Sequence, residues 1–171
     1  MASIEAARTC ERWGEDGYFL TQEFVLHGAA GVLDALEVVR QADALVKQRT
    51  LAAGLGLTRW DGDSLLLGQT CVLRLGPLEI QSLAGFSAAA GRAILGGLIA
   101  RRPGGSIWYR VRQHGDGLLL IAGLSGFFPR LPRRAFRIIQ TPLHRATIRR
   151  AVGDLAAVLG KPPVASNAAK I

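Results

Sequence analysis

Two side chains stand where their chemistry would turn into the protein. His144 precedes Ile148, Val152, Leu155 and Leu159 at spacings of four, four, three and four, so on a helix all five share one apolar stripe. An imidazole there could donate or take a proton; a hydrogen-bonded core histidine fits the same position. Tyr109 alternates with Ile107 and Val111 onto one face of the segment SIWYRVRQ (residues 106–113), and Trp108, Arg110 and Arg112 fall on the other. Its hydroxyl is either a donor at an apolar wall or an ordinary buried phenol reaching backbone or water.

A third feature is charge. Residues 1–80 carry 7 basic and 11 acidic side chains, and residues 81–171 carry 14 and 2, within a total net charge of +8. The densest part holds Arg130, Arg133, Arg134, Arg137, Arg145, Arg149 and Arg150 with no acid among them. That face suits phosphate or carboxylate, or simply keeps a basic protein in solution. Phe127, Phe128 and Phe136 lie near the arginines but run on into apolar segments, which argues against a stacking platform for nucleic acid.

Other chemistries lack their motifs. The two cysteines, Cys10 and Cys71, form no CxxC or Cys/His cluster, so no metal site is expected. Asp61 and Asp63 flank Gly62 in what reads as a turn. No phosphate-binding loop, dinucleotide fingerprint or G-x-S-x-G elbow occurs, and no cofactor is expected. Residues 1–13 carry Glu5, Arg8, Glu11 and Arg12 and have no apolar core of a signal peptide, and no apolar run is long enough to span a bilayer. A cytoplasmic protein is the expectation.

The elements that position these residues follow from periodicity. Residues 18–26 (YFLTQEFVL) read as a first strand, and residues 31–53 as one or two helices ended by Gly54 and Gly56. Short apolar segments at 65–75, 78–86 and 93–100, broken by glycines, read as a curved antiparallel sheet. The segments 106–113 and 118–128 flank His114-Gly115-Asp116-Gly117 and form a hairpin. Past Pro129 the pattern turns helical, with a long amphipathic helix from Thr141 to Leu159 and Pro142 in its first turn. One domain over residues 1–160 with a flexible tail at 161–171 is the expected organisation.

This order, and above all GSIWYRVRQHGDGLLLIAGL leading through PRLPRRAFRIIQTPLHR into a closing helix, resembles the START-like superfamily, the helix-grip fold of polyketide cyclases and lipid-binding proteins. The long helical segment before residue 54 departs from it. The resemblance implies an α+β fold in which a curved antiparallel sheet wraps a long C-terminal helix around an apolar cavity for a hydrophobic small molecule. It implies His144 and Tyr109 as catalytic groups and Trp108, Arg137, Gln140 and Ile148 as ligand contacts. It further implies a cofactor-independent cyclase, isomerase or dehydratase of a polyketide-like molecule, or a non-catalytic carrier or sensor of a lipid-like ligand. An acidic acyl carrier protein or a coenzyme A thioester would meet the arginines.

Overall fold

The computed structural model describes residues 3–27, 34–49 and 58–159. Nine strands form one antiparallel sheet: β1 (Ser3–Gly14), β2 (Gly17–His27), β3 (Thr58–Asp61), β4 (Ser64–Leu67), β5 (Thr70–Leu75), β6 (Glu79–Gln81), β7 (Ala88–Gly96), β8 (Ser106–His114) and β9 (Gly117–Phe127). The strand order is β1-β2-β9-β8-β7-β5-β4-β3, with β6 also paired to β7. Among the described residues two helices accompany it, α1 (Ala35–Gln48) and α2 (Arg133–Leu159). The α+β fold read from the sequence is therefore present, with a large antiparallel sheet and a long C-terminal helix.

Alternation decides which side is covered. Along β2, Tyr18, Leu20, Gln22, Phe24 and Leu26 are all buried, whereas the residues between them are less so. That inner face receives both helices: Val38, Val39 and Ala42 of α1 and Ala151, Val152 and Leu155 of α2 pack with Phe24, Val111, Leu118 and Leu120. A second apolar cluster lies toward the other end of the sheet, where Phe136 of α2 meets Tyr18, Leu20, Leu124 and Phe127. Register shifts in the β1–β2, β2–β9, β4–β5 and β5–β7 pairings mark the irregularities by which such a sheet bends.

Three expectations need correction. The first strand is not residues 18–26 but residues 3–14, strand β1, paired along its length with β2. Its charged residues belong to an edge strand, whose composition is governed by protection of the edge rather than by burial. The long helix begins at Arg133, so Pro142 is interior rather than in the first turn. Proline there removes the hydrogen bond to the carbonyl of Ile138, and both residues are on the exposed side, where water can replace it. The strands expected at 78–86 and 93–100 are instead the short β6 and a β7 that begins at Ala88. The helix expected over 31–53 is α1 within 35–48; the rest of that span beyond residues 34 and 49, and the tail 161–171, lie outside the described residues.

The β7–β8 connection depends on Gly105. Its φ is +81°, and a Cβ on it would sit 2.4 Å from the Ser125 carbonyl oxygen, while its own carbonyl accepts the Ile94 N–H at 3.0 Å. Gly105→Ala is therefore expected to destabilise the protein by about 2 kcal/mol. Urea unfolding would show it as a lower midpoint at unchanged slope; a change under about 0.5 kcal/mol would contradict this account of the loop.

Candidate functional site

Between the two apolar clusters lies a cavity of about 320 Å³. Leu20, Leu75 and Leu124 line it from the sheet, Val46 from α1, and Ile139, Leu143 and Ile148 from α2. Its polar wall residues are Asp43, Lys47, Tyr109, Gln140, His144 and Thr147. Three of these, Gln140, His144 and Thr147, recur at four and three residues along α2, which places them on one helical face. Tyr109 comes from β8, paired with Ala90 and Ala122, whose small side chains leave room beside the phenol.

The electrostatics sort the polar residues into two groups. At the α1 end the charges are matched within the protein. Arg92 Nε donates to both carboxylate oxygens of Asp43 at 2.9 Å, and its Nη1 donates to Asp63 at 2.8 Å and to the Gly76 carbonyl at 2.9 Å. Lys47 also pairs with Asp63, and its ammonium lies 5.4 Å from the Trp60 ring centroid. The Arg92 and Asp43 side chains are only 11% and 7% exposed. Hydrogen bonding from Lys47 holds the Asp63 carboxyl below its ordinary range. Burial opposes the charge on Arg92, but Asp43 and Asp63 hold its pKa above the usual value.

At the α2 end the groups are neutral. Burial pushes the His144 imidazole down to about 4, and its ring stands edge-on to Phe136 at 6.2 Å. Burial, then the Asp43 charge, raises the Tyr109 phenol far above its ordinary value, so its proton stays on and the hydroxyl remains a donor. Gln140 is buried, and its Oε1 has no hydrogen-bond partner among the described residues. The same is true of Gln22 Oε1 on β2, beside Ala122 in the sheet register. Tyr18, by contrast, shares a 3.3 Å hydrogen bond with Thr141.

The structure thus brings His144, Tyr109, Gln140 and Ile148 to one cavity wall and leaves Trp108 and Arg137 off it. Trp108 follows from strand alternation: with Tyr109 inward, its neighbour must face the other side. There its ring lies over Gly123, where a Cβ would come within 2.2 Å of it, and Arg110 stacks on it at 4.3 Å. Arg137 is drawn toward β1, with Nε 3.9 Å from Glu11, and Arg145 pairs with the same carboxylate at 2.8 Å. Arg133 lies 5.3 Å from the Trp13 ring centroid. The arginine face is therefore partly occupied by a strand that the sequence reading did not see. Phe127 and Phe136 are buried in the second cluster.

The Asp43–Arg92–Asp63–Lys47 network escaped the sequence reading. One signal was present: Arg92 is the single charge between Ala88 and Gly96, and a lone charge in an otherwise apolar strand calls for a buried partner. The cavity mouth also has a character of its own. Leu131, Ile139 and Leu143 line the cavity and are at the same time exposed, and Ile138 beside them is 77% exposed.

No family model matches the chain, and no curated protein matches it. Solved structures similar to it include two of CalU16 from Micromonospora echinospora. The crystal structure is 11% identical over 92% of this chain and 94% of that chain, with a TM-score of 0.32. The solution structure is 14% identical over 98% and 82%, with a TM-score of 0.40. Protein Ms6760 from Mycobacterium smegmatis is 13% identical over 91% of this chain and 98% of that chain, with a TM-score of 0.43. Among the described residues, no helix is long and apolar enough to cross a membrane.

Proposed function

We propose that the protein holds a hydrophobic, polyketide-like small molecule in this cavity and acts on it as a cofactor-independent enzyme of the cyclase or isomerase type, in a START-like helix-grip arrangement. The observation that carries the reading is the cavity itself: its wall is almost wholly apolar, and the few neutral polar groups converge on it from α2 and β8. Such a site excludes water and folds a flexible substrate into one reactive conformation, which is the main source of rate in an intramolecular ring closure. His144 accepts or returns the proton, and Tyr109, always protonated, donates a hydrogen bond to a carbonyl oxygen. The apolar mouth at Leu131, Ile139 and Leu143 admits the substrate, and the exposed Arg130 and Arg134 nearby suit an acidic acyl carrier protein or a coenzyme A thioester that presents it.

A second reading is favoured by one specific feature. A pKa of about 4 lies well below neutrality, and burial is its cause, which makes His144 a weak base and suits a carrier or sensor that binds without chemistry. His144→Gln separates the two. With a hydrophobic substrate that the wild type converts, the variant is expected to keep binding, followed by fluorescence titration, while turnover falls by about two orders of magnitude or more. Turnover unchanged by the substitution would remove His144 from the mechanism; saturable binding with no conversion in either protein would establish the carrier.

A further inference from the structure

We infer that the cavity selects a neutral ligand with a hydroxyl group, positioned by the side-chain amide of Gln140, and rejects carboxylates such as fatty acids. The inference rests on the hydrophobic-ligand reading above and narrows its ligand class. Two independent features support it.

The first is Gln140. Its residue is 7% exposed, it lies on the cavity wall, and its Oε1 finds no partner among the described residues. A buried amide left in that condition costs stability, so a group that completes its hydrogen bonding is bound in preference to one that cannot. The oxygen and nitrogen of a glutamine amide are interchangeable by rotation, and a hydroxyl both donates and accepts, so it satisfies the amide either way round.

The second is the absence of a free counter-charge on the described wall. Asp43 is taken up by Arg92, and Lys47 by Asp63. A ligand carboxylate would therefore be desolvated with no cation free to receive it unless this network came apart. Asp43 and Lys47 both line the cavity, and paired within the network they offer a carboxylate no net attraction.

Three probes of one shape test this: naphthalene, 2-naphthol and 2-naphthoate, each titrated at pH 7 and followed by its own fluorescence. The wild type is expected to bind 2-naphthol at least tenfold more tightly than 2-naphthoate. Gln140→Leu is expected to weaken 2-naphthol about tenfold and leave naphthalene unchanged, which also reports that the variant is folded. If the leucine variant loses naphthalene as well, Gln140→Met replaces it in the same comparison. Equal or tighter binding of 2-naphthoate would overturn the inference, as would 2-naphthol affinity untouched by either substitution. Both of those outcomes leave the hydrophobic-ligand reading standing. Failure of all three probes to bind would overturn that reading and the inference with it.

Discussion

Arg92→Met is expected to cost about 3–5 kcal/mol of folding free energy, a large share of the roughly 5–15 kcal/mol typical of a single domain. The guanidinium is the hub of a network that ties β7 to Asp43 of α1 and to Asp63 in the β3–β4 turn. Removing it strands the Asp43 carboxylate, 7% exposed, against the wall of an apolar cavity. The cost comes from that abandoned charge more than from the lost attraction, since a buried pair loses in desolvation much of what it gains in contact. The double variant Arg92→Met/Asp43→Leu should therefore recover much of the loss. Urea unfolding of the wild type and the two variants checks this. A single variant within 1 kcal/mol of the wild type, or a double variant as unstable as the single, would contradict it.

The second large effect is with pH. In the unfolded chain His144 takes up a proton near pH 6.5, whereas in the folded protein burial delays this to about pH 4. Between those values the unfolded state binds more protons, so stability falls as pH falls through this window, and the contribution levels off below about 4. The depression sets a ceiling of about 3 kcal/mol on this contribution. His144→Gln cannot titrate, so the difference in unfolding free energy between the two proteins should shift in favour of the variant by about 2–3 kcal/mol from pH 7 to pH 4. The carboxylates, Asp63 among them, are common to both proteins, and their contribution cancels in the difference. A pH-independent difference would show that the imidazole is hydrated and does not face a dry cavity.

How much of this was legible in the sequence follows from which residues had a periodic signal. The β8–β9 hairpin was readable because apolar alternation surrounds an Asp-Gly turn, and the alternation placed Tyr109 inward. His144 and Ile148 were readable from the three-four spacing that also places Val152 and Leu155, both buried. Strand β1 was not, because its residues are charged and mostly exposed, and its pairing with β2 depends on tertiary context. Missing β1 hid Glu11, and with it the reason that Arg137 and Arg145 turn away from the cavity mouth. The Asp43–Arg92 pair spans 49 positions, and no local pattern announces a partnership between residues so far apart. The start of α2 at Arg133 was obscured by Pro142, which reads locally as a first-turn residue but is accommodated inside the helix on its exposed side. Gln140 was legible only as a residue before the expected helix; its burial on the cavity wall follows from that earlier start.

The central claim is that the space between the two apolar clusters is a binding site for a small hydrophobic molecule. Native mass spectrometry of the protein purified from its own host, before and after incubation with naphthalene, tests it most directly. The account predicts a non-covalent mass increment, either a copurifying compound or one naphthalene per chain, that disappears on denaturation. A chain that shows the bare mass under both conditions would contradict it.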